Sequence, residues 1–151
     1  MFRRILAATD FAESAENAWR FALGLGRAHS AELILLHVAP ELPIVPEVAV
    51  PQIEEIYVEQ RRWAEQALEQ RVGTARAAGV RARWLVRAGA AAPTIAEVAA
   101  EEGADLVVVG TQGRGVLDRL VVGSVAERVV RTAPCPVLVV KSAAASAAAA
   151  A

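Results

Sequence analysis

The segment 110–127 holds the residues whose types and spacing best suit chemistry. It reads GTQGRGVLDRLVVGSVAE, with two residues between Gly110 and Gly113 and nine between Gly113 and the pair Gly123-Ser124. Glycine lets a backbone approach a ligand closely, and the first N–H groups of a helix that begins at Gly123-Ser124 can bind an anion. The spacing therefore predicts a phosphate-binding loop.

A structural interpretation of the same segment remains open. The segment lacks the Gly-Lys-Ser/Thr of a P-loop and does not follow the G-x-G-x-x-G pattern of dinucleotide-binding folds. In the structural interpretation the glycines only make turns, and Ser124 with Glu127 forms a capping box at the start of a helix. The two interpretations are compatible, because backbone donors that the cap does not use stay available to a ligand.

The elements that must position this loop are visible as apolar runs separated by helical patterns. The predicted strands span residues 5–9, 33–39, 82–86, 105–110 and 136–140. Most of these runs are continuous rather than alternating, which is typical of parallel strands covered on both faces. The helical stripes are Ala15, Ala18, Trp19, Ala22 and Leu23; Ile53, Ile56, Tyr57, Ala64, Ala67, Leu68 and Ala75; Ile95, Val98 and Ala99; and Val125, Ala126, Val129 and Val130.

The order of these elements predicts an α/β fold. The second helix is predicted over 53–78, the third over 93–102, and the fourth between Gly123 and Pro134. Strands joined through helices imply right-handed crossovers and a parallel sheet with helices on both faces, a three-layer sandwich. Such sheets bind ligands beyond the carboxyl ends of their strands. We therefore expect function in the loops that follow the first, second and fourth strands.

Composition limits the class of protein. The chain has 151 residues, of which 55% are hydrophobic and 22% charged, with a formal net charge of -1. The pI of about 6.1 argues against a protein that neutralises nucleic-acid phosphates. No apolar run approaches the roughly 18 residues that a membrane span needs, and no signal-peptide pattern is visible, so we expect a cytoplasmic protein. We expect one domain over 1–141 and an Ala-rich tail over 142–151, disordered or added during cloning.

The glycine spacing after the fourth strand resembles the adenine-nucleotide signature of the universal stress protein family. RRILAATDFAESAENAW resembles the first strand and helix of that family, LILLHVAP its second strand, and GSVAERVVRTAPCPVLVV its last helix and strand. The resemblance covers nearly the whole chain. It implies a five-stranded parallel sheet in the order 3-2-1-4-5 with four main helices, a Rossmann-like fold of the adenine nucleotide α-hydrolase type.

The resemblance also assigns residues to ligand binding. They are Ala8, Thr9, Asp10, Val38, Gly110, Gly113, Arg114, Gly123, Ser124 and Val125. The Asp10 carboxylate suits ribose hydroxyls because it accepts hydrogen bonds and donates none; its alternative is an N-cap of the first helix, with Glu13 in the reciprocal position. Val38 would recognise the adenine edge through its backbone. Arg114 would reach phosphates, or else remain a solvated surface charge.

The resemblance implies a protein that binds ATP, ADP or AMP, with or without Mg²⁺, and acts as a nucleotide-dependent stress-response or regulatory protein. His29 and His37 have no partner at metal-ligand spacing, and no nucleophile elbow is present, so we expect at most a slow ATPase. The alternative is a dimeric structural stress protein that does not bind nucleotide. A flavin carrier is favoured only by the general fold.

Two segments predict contacts with a partner or a lid. The run 136–140 is short, β-branched and at a sheet edge in the family order, and such edges pair readily with another chain. The resemblance implies a homodimer through this strand. The apolar segment 40–51 holds four prolines, so it cannot be a regular helix. It is either a lid or subunit-contact loop over the nucleotide, or a packed connector.

Overall fold

Strands and helices alternate along the chain, as the sequence predicts. The computed structural model describes residues 1–41, 50–111 and 122–142. The elements are β1 (Arg4–Ala8), α1 (Glu13–His29), β2 (Glu32–Ala39), α2 (Val50–Ala77), β3 (Ala82–Ala88), α3 (Ala91–Glu101), β4 (Leu106–Gly110), α4 (Ser124–Thr132) and β5 (Val137–Val140). Gly113 and Arg114, the segment 42–49 and the tail residues 143–151 lie outside the described residues.

The five strands form one parallel sheet in the order β3-β2-β1-β4-β5, which confirms the predicted topology. Ile5 of β1 is in register with Leu33 of β2 on one side and with Leu106 of β4 on the other. β1 therefore lies at the centre, and the chain leaves β1 and β4 toward opposite sides of the sheet. A crevice between the carboxyl ends of β1 and β4 follows from this reversal of strand order.

Each face of the sheet carries its own hydrophobic core. Large core residues on the α1/α2 face are Ile5, Leu33, Leu35, Leu68 and Val72. Large core residues on the α3/α4 face are Leu6, Ile34, Leu36, Ile95, Val98, Val107 and Val129. Because successive side chains of a strand point to opposite faces, the continuous apolar run 33–36 is fully buried.

The predicted stripe of α2 is correct in its second half and partly wrong in its first. Ala64 and Leu68 are buried, as is Val72, which the predicted stripe omits, whereas Ile56 is 54% exposed. The first half of α2 is more exposed because the helix is longer than the strands on which it packs. A helix of 28 residues is about 42 Å long, while the eight residues of β2 span about 26 Å. The first half of α2 therefore extends past the carboxyl edge of the sheet.

The predicted stripe of α4 is also only half correct. Ala126 and Val129 are buried against the sheet, whereas Val125 and Val130 are exposed. The buried face of α4 is therefore narrower than the stripe that the sequence indicates. Among the helices of the described residues, none combines the length and the apolarity that crossing a bilayer requires.

Candidate nucleotide site

A cavity of about 250 Å³ opens at the carboxyl ends of β1 and β4, on the face that α3 and α4 cover. Eight of the ten residues assigned from the sequence line it: Ala8, Thr9, Asp10, Val38, Gly110, Gly123, Ser124 and Val125. Sequence reasoning missed Ala15, Leu36, Ala91, Ile95, Val109, Thr111 and Ala126. Most of the missed residues are small or apolar, so their types carry no signal that separates a cavity wall from ordinary core.

The turn between β1 and α1 is held by its own side chains. The Thr9 hydroxyl accepts a hydrogen bond from the Phe11 N–H at 3.0 Å, and Asp10 Oδ1 accepts one from the Ala12 N–H at 3.0 Å. Ala12 is the N-cap residue of α1 and no side chain caps that helix. The N-cap alternative for Asp10 is therefore wrong, because its carboxylate accepts from the N–H of the N-cap residue itself and fixes the turn before the helix begins.

Phe11 supports this turn from the α1/α2 side of the sheet. Its φ of 65° is in the left-handed region, which non-glycine residues rarely adopt. Its ring lies 4.7 Å from the His37 ring and 4.9 Å from the Trp63 ring, centroid to centroid. His37 Nδ1 lies 2.9 Å from the Thr9 carbonyl oxygen and donates to it, because a carbonyl only accepts. His37 thus holds the end of β1 through packing and one hydrogen bond.

Gly110 ends β4 where α1 begins, and the two backbones lie very close. A Cβ atom at Gly110 would be 2.5 Å from the Ser14 hydroxyl oxygen and 2.7 Å from the Ser14 carbonyl carbon. No real Cβ tolerates such distances to backbone. The glycine is therefore required by close approach at the cavity wall.

The start of α4 is open to the cavity. Gly123 is the N-cap residue, no side chain caps the helix, and Ser124 is its first helical residue. Because Gly123 and not Ser124 is the N-cap residue, and Glu127 pairs with Arg131 one turn later, the capping box between Ser124 and Glu127 is not formed. The first N–H groups of a helix lack partners within the helix and attract anions. This arrangement can hold a phosphate group.

The described part of the cavity wall has a simple charge pattern. Asp10 is the one ionisable side chain among the described lining residues. Within residues 1–41, 50–111 and 122–142 no group of three or more His, Cys, Asp or Glu side chains is placed to bind a metal ion. This wall can therefore hold a ligand by one carboxylate, hydroxyls and backbone groups, but it offers no acid–base pair for catalysis.

A second cleft of about 260 Å³ lies on the opposite face, between the first half of α2 and the ends of β2 and β3. Its lining includes His37, Tyr57, Arg61 and Val86. It does not include a helix N-terminus and does not lie at the reversal of strand order. The cavity beside α4 is therefore the better candidate for a phosphorylated ligand.

Cys135 lies away from this cavity, before β5. It packs against the core of the α3/α4 face. Burial, assisted by the negative charge of Asp105, raises the pKa of the Cys135 thiol. Because the thiolate is the reactive form, this environment agrees with a packing role rather than a redox role.

Comparisons with known proteins show the family to which the chain is similar. Residues 1–141 match the model of the universal stress protein family. A universal stress protein from Thermus aquaticus is 36% identical to this chain over 142 residues, which cover 93% of this chain and 100% of that protein.

Solved structures extend the similarity to the fold. The universal stress protein UspA from Lactobacillus plantarum superposes with a TM-score of 0.83 at 26% identity, over 92% of this chain and 97% of that one. A universal stress protein from Archaeoglobus fulgidus, solved in complex with dAMP, superposes with a TM-score of 0.62 at 24% identity, over 93% of this chain and 98% of that one; this likeness shows the shared fold alone. The match over residues 1–141 and the relative at 36% identity go further: the chain belongs to the universal stress protein family.

Proposed function

We propose that this universal stress protein binds an adenine nucleotide, with ATP as the principal ligand, and acts as a nucleotide-dependent stress-response or regulatory protein. One observation carries the proposal. Residues assigned from four separate segments of the sequence line a single cavity at the reversal of strand order. The wall of that cavity combines a carboxylate, a close-packed glycine and an open helix start.

The cavity lining combines apolar side chains with polar groups, which suits a nucleotide. Leu36, Val38 and Ile95 are apolar lining residues against which a base would lie. Asp10 supplies acceptors for ribose hydroxyls. Ser124 is exposed at the mouth, so phosphates beside the start of α4 would extend toward solvent. Ligand pockets usually begin at about 300 Å³, so a cavity near that size suits the base and ribose with the phosphates at its mouth.

The same wall limits the chemistry that we propose. Without a set of carboxylates among the described lining residues, a Mg²⁺ ion would be held mainly by phosphate oxygens and water. Phosphoryl transfer also needs a group that positions the nucleophile. We therefore propose a binding protein with slow ATP turnover at most. Turnover at rates typical of kinases, about 1–100 per second, would contradict this.

The dAMP complex of the Archaeoglobus protein supports the choice of adenine nucleotides as the first ligands to test. Mass spectrometry of small molecules released from heat-denatured protein would identify a nucleotide that copurifies. Calorimetric titration with ATP, ADP and AMP would then rank the three. If none of them binds, the alternative of a structural dimer without nucleotide is favoured.

Asp10→Asn gives a sharper test of the site. The amide keeps an oxygen for the Ala12 N–H but removes the charge and one acceptor for the ribose. Hydrogen bonds to charged groups contribute about 1.5–3 kcal/mol, so we expect ATP affinity to fall by roughly 10- to 100-fold in calorimetric titration. Glu97→Gln, on the exposed side of α3, removes the same charge elsewhere and serves as the control. Equal affinity for Asp10→Asn and the control would reject this site.

We also propose that the protein is a homodimer paired through the free edge of β5. β5 is an edge strand whose residues Val137, Leu138 and Val139 are only half-buried. Unpaired backbone groups at such an edge are available to a second copy of the chain. The cytoplasmic location remains a prediction from the sequence.

A further inference from the structure

Thr111 follows β4 directly and is buried. Its exposed fraction is 6%, and its Oγ1 has no hydrogen-bond partner among the described residues. Its backbone is satisfied, since its N–H donates to the Val140 carbonyl at 2.9 Å and its carbonyl accepts from the Gly123 N–H. Nearly all buried polar groups in native proteins are paired, so an exception at a cavity wall indicates a partner beyond the described residues, such as a ligand.

The side chain of Thr111 lies on the cavity side of the sheet. Val107 and Val109 of β4 belong to the core of the α3/α4 face, and Val108 belongs to the core of the other face. Side chains alternate along a strand, so Thr111 is on the same face as Val107 and Val109. Val109 and Thr111 both line the cavity.

The position of Thr111 indicates which part of a ligand it would contact. The hydrogen bond from Gly123 holds Thr111 against the start of α4, where no side chain caps the helix. A helix N-terminus favours an anionic oxygen, and such an oxygen accepts the hydrogen that a threonine hydroxyl can donate. The hydroxyl and the first N–H groups of α4 would therefore act on the same group.

We propose that Thr111 is a ligand-binding residue whose hydroxyl donates a hydrogen bond to a phosphate oxygen of the bound nucleotide. The inference rests on the proposed function and adds a specificity determinant to it. Thr111 makes the site prefer a phosphorylated ligand over a nucleoside. Because the hydroxyl has no partner among the described residues, it lowers the stability of the unliganded protein, whereas it strengthens the binding of a phosphorylated ligand.

Thr111→Val tests the effect of the hydroxyl on binding and on stability, because valine keeps the shape of the side chain and removes the hydroxyl. We expect ATP to bind about tenfold more weakly or worse in calorimetric titration, since a hydrogen bond to a charged group is lost. Adenosine should bind within about twofold of the unmodified protein. The melting temperature of the unliganded variant should be equal or higher, since a buried unpaired polar atom has been removed. Thr111→Ser, which keeps the hydroxyl, should restore ATP affinity.

Thr94→Val is the matched control. Thr94 is also buried but does not line the cavity, so this variant should leave the ratio of ATP to adenosine affinity unchanged. ATP affinity of Thr111→Val within twofold of the unmodified protein would overturn the inference alone. Equal losses for ATP and adenosine would also overturn it, because they would indicate a distorted cavity. If the unmodified protein binds neither ligand, the proposed function fails, and this inference fails with it.

Discussion

At the scale of single residues, the site depends on one close approach between backbones. Gly110→Ala would place a Cβ 2.5 Å from the Ser14 hydroxyl oxygen, so β4 and α1 must separate. We expect a loss of about 1–3 kcal/mol in the free energy of unfolding, measured by urea titration, together with weaker nucleotide binding. Gly24→Ala is the control. It lies on the exposed side of α1, where an added methyl group would meet no atom within 4 Å, and should gain about 0.5–1 kcal/mol. Equal stability of the two variants would contradict the steric argument.

The same scale shows which site residues a sequence reveals. Asp10 and Gly110 are predictable because a carboxylate after a strand and a spaced glycine are unusual enough to stand out. Thr111 is not predictable in this way, because a threonine after a strand is common. Its importance is visible only in the folded structure, where its hydroxyl has no hydrogen-bond partner among the described residues. The sequence predicts Val125 both as a core residue and as a site residue. Because Val125 is exposed, it is not a core residue, and only its role in the site remains.

At the scale of elements, the strands are predictable to within two residues because most of them read as short, continuous apolar runs. Helix positions are less predictable. The periodicity of a helix shows which residues share a face, but it does not show where the sheet beneath that face ends. Ile56 follows the periodicity of α2 and is exposed, because that part of the helix extends past the strands.

The edge strand β5 gives a prediction at this scale. The carbonyls of Pro136 and Val140 accept hydrogen bonds from β4 and from Thr111 just after it. Backbone groups alternate sides along a parallel strand, so those of Val137 and Val139 point to the free edge. Val139→Pro removes an outward N–H and is tolerated within the subunit, since proline is accepted on edge strands. We expect a monomer by light scattering with an unchanged circular dichroism spectrum. A dimer of unchanged stability would show that β5 does not pair the subunits.

At the scale of the whole molecule, the two ends of the sheet have different roles. The carboxyl end forms the cavity, whereas the amino end is tied by ion pairs. Arg83 on β3 pairs with Glu32 on β2 and with Glu102 after α3, and Arg4 on β1 also pairs with Glu32. These contacts join three strands and a helix end at the edge opposite the cavity. Substitutions in this network should therefore change stability without changing the nucleotide site.

The pH dependence of stability follows from this network. Hydrogen bonds from Arg83 lower the pKa of Glu32 and of Glu102 below the ordinary value of 4.5. Near and below that pH the unfolded chain binds more protons than the folded protein, so the stabilisation is complete above it and is lost as the pH falls through the lowered pKa values. Arg83→Gln should lose on the order of 1 kcal/mol or less at neutral pH. Its free energy of unfolding should then fall less steeply between about pH 5 and pH 3.

Urea titrations across that range, with Arg20→Gln as the control, check this expectation. Arg20 is exposed on α1 and lies outside the network, so its loss removes one positive charge and leaves the ion pairs intact. In the control, the free energy of unfolding should fall with decreasing pH as steeply as in the unmodified protein. Parallel curves for Arg83→Gln and the unmodified protein would show that Arg83 does not lower the pKa values of Glu32 and Glu102. ATP affinity of Arg83→Gln at neutral pH should equal that of the unmodified protein, because the strands separate this network from the cavity.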